Sequence, residues 1–349
     1  MLISKQPMIN VLNGINTNRV PIWLMRQAGR YLEEYQQIRK NAGSFLNICY
    51  SPDLAKKVTL QPIHRFNFDA AIIFSDILVI PDALGQPVDF KPGVGPVLEP
   101  IRSVNSLAHL KLHQLKTHLA PVYEAVSSVR SELAENKSLI GFSGAPWTIA
   151  TYMVEGGTSR DFTNTKLWAC AAPDEFNNLI EILVSAITEH LISQIKGGAD
   201  ILQIFDSWAG LLSERAFERW CLAPIRKIVR GVLKEFPEIP IIIFPRLAGR
   251  RYLDVVEIEG ISAVSLDHTL SLGWVHEHLQ SKVIVQGNLD PIYLLAGGNA
   301  MREEVNRILD CLAPSPFIFN LGHGVLPNTP TEHVSELCDI ITRFQRESS

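Results

Sequence analysis

The stretch Pro21-Ile22-Trp23-Leu24-Met25-Arg26-Gln27-Ala28-Gly29-Arg30 runs from a short apolar strand straight into two arginines four residues apart. A guanidinium stays charged at any working pH and presents a planar fork of donors that matches a carboxylate or phosphate. On a turn kept tight by Gly29, the pair reads as a clamp for an anionic ligand. A surface loop with two solvated arginines has the same spacing, since charged side chains mostly sit in water. Recurrence separates the two readings, because the strand-then-polar pattern returns along the whole chain.

Eight apolar segments carry it: Val20–Met25, Ala70–Phe74, Leu139–Ser143, Ile201–Phe205, Ile239–Phe244, Ile261–Leu266, Val283–Gln286 and Phe317–Leu321. Most are unbroken runs of Ile, Val, Leu and Phe, as parallel strands buried on both faces require. Amphipathic stretches separate them, the clearest over Asp174–Lys196 and stopped by Gly197-Gly198. Others span Ala120–Glu135, Ser213–Glu235, Met301–Leu312 and Thr331–Phe344. Eight strands alternating with helices predict an α/β fold, a single (β/α)8 TIM barrel over residues 1–349 with loop insertions at its C-terminal face. A doubly wound open sheet competes, but no Gly-x-Gly-x-x-Gly follows any strand. The stretch 81–100, with five prolines and three glycines, reads as a structured excursion over the barrel mouth.

The chain has 349 residues, 46% of them hydrophobic, and a formal net charge of −4. That balance argues against a nucleic-acid surface or an anionic membrane as partner. Five scattered cysteines show no metal-ligand spacing, so neither a disulfide framework nor a structural zinc is expected. The start, Met1-Leu2-Ile3-Ser4-Lys5-Gln6-Pro7, lacks a signal-peptide layout, and the apolar run over 70–80 is too short to span a bilayer. A cytoplasmic protein is the expectation.

Barrels of this kind do their chemistry where the strands end. Those ends supply Arg26 and Arg30, Ser75-Asp76, Ser143 and then Tyr152, Asp206-Ser207, Asp267-His268, Asn288 and Asp290, and Asn320 with His323. Asp76 interrupts an apolar strand, where an unpaired carboxylate is costly. It is either paired with an internal arginine, a loop cap, or an acceptor for ligand N–H groups or a developing cation. His323, between two glycines, is part of a phosphate-type anion loop or a donor to a carboxylate. Tyr152 and Ser207 read as packing or as chemistry; His64 and His268 read as structural.

Taken together, the motifs resemble those of the uroporphyrinogen decarboxylase family. Pro21–Arg30 and Gly141–Gly156 (Gly-Phe-Ser-Gly-Ala-Pro-Trp-Thr-Ile-Ala-Thr-Tyr-Met-Val-Glu-Gly) look like its two signature stretches. Ala71–Leu78, Phe205–Gly210, Gln286–Pro291 and Asn320–Gly324 match in the same order. The resemblance implies a (β/α)8 barrel, usually a homodimer, with no metal and no organic cofactor. It implies cofactor-free removal of carbon dioxide from the four acetates of uroporphyrinogen III, giving coproporphyrinogen III for haem synthesis. By matched position it implies Asp76, Arg26 and Tyr152 as catalytic. Arg26, Arg30, Arg39, Asp76, Tyr152, Phe205, Ser207 and His323 then bind substrate. Trp208 after Ser207 points to a bacterial-type member. Two alternatives stay open. One is a zinc-dependent corrinoid or thiol methyltransferase of the same barrel family, whose His-x-Cys ligand pair is missing here. The other is a non-catalytic porphyrinogen carrier.

Overall fold

The computed structural model describes residues 3–91 and 93–344. Met1-Leu2 of the leader reading and Pro92 of the proline-rich stretch lie outside the described residues. The strands are β1 (Ala70–Ile72), β2 (Val88–Lys91), β3 (Gly95–Leu98), β4 (Ser138–Gly144), β5 (Ile201–Asp206), β6 (Ile241–Pro245), β7 (Ala263–Ser265), β8 (Ile284–Leu289) and β9 (Phe317–Leu321). Seven form one curled parallel sheet in the order β1-β4-β5-β6-β7-β8-β9, with helices between them. This is the predicted barrel.

The eighth stave differs from expectation. Val20–Met25 is not a regular strand; only Ile22 bridges, in parallel, to Phe319. The segment nevertheless closes the barrel from both sides. Phe319 N–H donates to Pro21 O at 2.9 Å, and Asp69 N–H donates to Ile22 O at 2.9 Å. Pro21 has no N–H to give a ladder. Side chains take the donors that remain: Asp69 Oδ2 accepts Ile22 N–H at 2.9 Å, and Asn320 Oδ1 accepts Met25 N–H at 3.0 Å. Gln27 Nε2 completes the seam on Ala70 O at 3.0 Å. Asp69 also holds both Nη atoms of Arg19.

Alternation along the strands divides the core in two. Inward residues Trp23, Met25, Ala70, Ile140, Ile201, Ile242, Phe244, Ala263 and Ile318 pack inside the barrel. Met8, Val11 and Leu12, from the helix Pro7–Leu12, join this inner cluster and close its lower end. The outward set, including Leu139, Ile204, Ile243, Val264 and Phe317, packs beneath the helices. One inner layer is polar but bonded: Trp23 Nε1 donates to Gln286 Oε1 at 2.8 Å, and Gln286 Nε2 reaches Ser265 Oγ at 3.1 Å.

Two further expectations are corrected. The apolar run around Asp76 is not one strand. It ends at Ile72, turns, and becomes the helix Val79–Ala83, because Asp76 Oδ1 accepts Leu78 N–H at 2.8 Å and so starts a turn. The helix expected over Ser213–Glu235 is broken by a π segment at Glu218–Leu222. Pro224, just beyond, cannot donate to the preceding turn, and the wider winding absorbs the missing bond. The Pro/Gly-rich excursion is an antiparallel hairpin of β2 and β3. It packs through Val88, Leu98 and Phe90 against Ile77 and Tyr152.

Replacing Asp69 by Ala leaves the buried Ile22 N–H without a partner and frees Arg19. A loss of about 2–4 kcal/mol is expected in denaturant unfolding. A loss below ~0.5 kcal/mol would show that the seam closes without this carboxylate.

Candidate active site

Gln27 sets the first arginine in place. Its side chain is buried, accepting Leu24 N–H at 3.1 Å and donating to Ala70 O, while Tyr31 Oη donates to its carbonyl at 2.8 Å. The tight turn throws Arg26 outward with φ +59°, in the left-handed region. The strain is therefore borne by Arg26 and not by Gly29, at a cost on the order of 1 kcal/mol. The Arg26 stem lies on Gly324: a Cβ there would stand 2.3 Å from Arg26 Cδ. A Cβ on Gly322 would stand 2.3 Å from the His268 amide nitrogen. The two glycines flanking His323 are thus spaces for Arg26 and His268.

Asp76 lies in the loop after β1, one oxygen held by Leu78 N–H. Among the described residues it has no ion-pair partner; Arg26 acts on it without a direct contact. Burial pushes its carboxyl up to about 6, against the opposing pull of the Leu78 bond and Arg26. Of the readings left open, the loop cap accounts for one oxygen only, and pairing with an arginine does not occur.

Tyr152 sits on the helix Pro146–Glu155 behind β4, its ring 6.4 Å from that of Trp208. Burial and then Asp76 push its phenol above the ordinary tyrosine range, while Arg26 acts the other way. Arg26, Asp76 and Tyr152 are therefore one electrostatic neighbourhood. Phe205 and Ser207 stand at the end of β5, both half-buried. Phe205 meets Phe142 at 5.8 Å and Phe244 at 6.1 Å, and Phe244 meets His323 at 6.5 Å, which makes an aromatic floor.

His323 is held far from the charged form. Burial, then Arg26, Arg246 and His268, push its imidazole down to about 3. Without ligand it offers a neutral ring rather than a third cation. Arg30 is exposed, and Arg39, on the helix Glu33–Asn41, is half-buried with Nη1 3.4 Å from Gly43 O. Both act on the Tyr35 phenol, which also feels Asp76. They flank the centre at its Tyr35 side.

Other strand-end residues are structural. Asp267 accepts from Leu247 N–H at 2.8 Å and Thr269 N–H at 3.0 Å, and Asp290 caps the helix Pro291–Ala296. Asp206 is bonded to Thr148 Oγ1 at 2.6 Å, and burial pushes it up to about 6. Asn288 Nδ2 donates to Asp267 O at 3.1 Å. Arg246 was not among the expected site residues. It follows β6 directly and joins Arg26 and His323. Its signal was the strand-end position itself.

The uroporphyrinogen decarboxylase (URO-D) family profile matches residues 3–344. Uroporphyrinogen decarboxylase of Rhodospirillum rubrum is 48% identical over 338 residues, 97% of each chain. That of Chelativorans sp. (strain BNC1) is 50% identical over 335 residues, 96% of this chain and 97% of its own. Among solved structures, a methyltransferase from Methanosarcina mazei superposes with TM-score 0.79 at 17% identity, covering 98% of this chain and 99% of its own. A putative vitamin-B12 independent methionine synthase from Listeria monocytogenes gives TM-score 0.56 at 11% identity, covering 94% and 96%. At such identities these two likenesses show the fold. Among the described residues, no three of His, Cys, Asp or Glu are grouped to hold a metal ion.

The opposite shifts of His323 and Asp76 have opposite signs in stability. A depressed imidazole costs stability as pH falls from about 6.5 toward 3, because the unfolded chain then binds the proton first. A raised carboxyl contributes stability below about 4, and this is lost as pH rises through about 6. In ring-proton NMR, the His323 resonances should stay unchanged from pH 8 to about 4.5. A midpoint near 6.5 would contradict the cation-crowded site.

Proposed function

The chain belongs to the uroporphyrinogen decarboxylase family, and we propose that it removes carbon dioxide from the four acetate side chains of uroporphyrinogen III, giving coproporphyrinogen III. The observation that carries the mechanism is Asp76, a half-buried carboxylate with no ion-pair partner among the described residues, facing the same mouth as Arg26 and Tyr152. The substrate needs two kinds of partner. Its eight carboxylates need cations and donors: Arg26, Arg30, Arg39, the His323 ring and the Ser207 hydroxyl. Its four pyrrole N–H groups need an acceptor, which is Asp76. Phe205 supplies an apolar wall beside the ring.

Protonation of the pyrrole carbon that bears the acetate gives an iminium-like cation. The bond to the carboxylate then breaks, carbon dioxide leaves, and its electron pair neutralises that cation. A proton taken up at the former acetate carbon makes the methyl, and loss of the first proton restores the pyrrole. The balance is one proton consumed per carbon dioxide released. The ring is its own electron sink, so these steps need no cofactor or metal. Asp76 stabilises the cation, an effect that is large in a dry, preorganised site. Its raised pKa leaves it mostly ionised above about 6. Arg26, or a water held by Arg26 or Tyr152, delivers the first proton.

The whole chain reads as one barrel domain that works in the cytoplasm as a homodimer. Among the described residues no helix is long and apolar enough to cross a membrane. Equilibrium sedimentation at micromolar concentration should give twice the chain mass. A single-chain mass would overturn the dimer.

The reaction is tested anaerobically, with enzymatically made uroporphyrinogen and no added metal or cofactor. Products are oxidised and separated by carboxylate number. Seven-, six-, five- and four-carboxyl porphyrins are expected. Bound but unchanged eight-carboxyl material would favour a carrier, and activity restored only by zinc would favour the methyltransferase-type chemistry.

A further inference from the structure

Beside Arg26 and His323 stands a further charged group that the decarboxylation steps leave unused. Arg246 follows β6 directly, and its backbone is fully committed. Its N–H donates to Asp206 O at 3.1 Å, and its carbonyl accepts Gly210 N–H at 3.0 Å. The side chain is not committed. Nε is buried without a hydrogen-bond partner, and among the described residues no carboxylate pairs with the guanidinium. Asp267, the acidic group that acts on it, is occupied by Leu247 N–H, Thr269 and Tyr252 Oη. Burial lowers its pKa from the ordinary arginine value, yet an arginine remains charged at working pH.

A half-buried cation without a counter-ion costs stability. Such a break in local consistency is characteristic of functional sites, where a ligand supplies what the protein withholds. The neighbours define the place. Arg26 acts on both Asp76 and His323. Arg246 acts on His323 and is not among the groups that shift Asp76. Arg246 thus stands where β6 ends, on the side of the mouth where Phe244 of that strand meets His323 at 6.5 Å.

We infer that Arg246 binds a propionate carboxylate of the substrate, one that is retained through all four decarboxylations. The inference rests on the decarboxylase reading above. The choice of propionate follows from charge. A guanidinium on a departing acetate stabilises the starting anion and opposes loss of carbon dioxide. On a retained carboxylate it anchors the macrocycle without that penalty. Four propionates are present in the substrate, in every intermediate and in the product, so the anchor is available at every turn.

The test compares Arg246→Met and Arg246→Lys with the unaltered protein. Losing a charge-assisted contact should raise KM for uroporphyrinogen III about tenfold or more, with kcat within about threefold. The dissociation constant of coproporphyrinogen III, which keeps only propionates, should rise by a similar factor in Arg246→Met. The penalty should be equal for the seven-, six- and five-carboxyl intermediates, and Arg246→Lys should recover most of it. Thermal unfolding of Arg246→Met should lie at or above that of the unaltered protein, and that of Arg246→Lys should match it. Unchanged KM and binding, a loss confined to kcat, or a penalty that fades as acetates are removed would each overturn the assignment. So would a lowered melting point that Lys does not restore. Binding of coproporphyrinogen is read without turnover. Failure of the unaltered protein to decarboxylate therefore counts against the proposed function, and unchanged binding in Arg246→Met counts against Arg246 alone.

Discussion

The site depends on the seam that joins the first stave to both ends of the sheet. A barrel of seven paired strands has a gap between β1 and β9, and Pro21 prevents a regular strand from filling it. Asp69 solves this from one side by giving Ile22 both a backbone donor and a carboxylate acceptor. Asn320 and Gln27 solve it from the other side and from above. Because the seam is pinned by side chains, the chain leaves it at a defined angle. Arg26 then emerges with its stem laid against Gly324. Barrel closure and placement of the first cation are one event.

From there the chemistry is largely a matter of charge imbalance. Arg26 and Arg246 stand near a mouth floored by Phe142, Phe205 and Phe244. Burial and these two cations suppress protonation of His323, while burial holds Asp76 high. The charged groups of the mouth are therefore poorly compensated by one another in both directions. A ligand with carboxylates at its rim and N–H donors at its centre corrects both defects at once. In the proposed mechanism that compensation grows as positive charge develops on the ring, and the fixed carboxylate of Asp76 is assigned to provide it.

Much of this was legible in the sequence. β4, β5 and β9 appear within one residue of their expected limits, since buried parallel strands read as continuous apolar runs. Arg26, Asp76, Tyr152 and His323 could be picked out because each follows or breaks such a run. Three things could not be read. How Val20–Met25 closes the barrel without pairing as a strand depends on Asp69 and Asn320, residues 44 or more positions away from that segment. The turn of Ile77–Val79 into a helix depends on one side-chain bond from Asp76. Arg246 was hidden because its surroundings are set by Asp267 and Arg26, residues distant in sequence. The neutrality of His323 is likewise a tertiary property, created by burial and then by cations from two other staves.

The central claim is that Asp76 stabilises the developing ring cation. Single-turnover decarboxylation by Asp76→Asn, alongside its binding of coproporphyrinogen, addresses it most directly. Asn keeps an oxygen for Leu78 N–H but replaces the ligand-facing oxygen with an amide donor, so the charge and one acceptor are both lost. The account predicts a rate lower by about 100-fold or more, a loss larger than the one in binding. A near-normal rate in this variant would contradict the account, whatever its affinity.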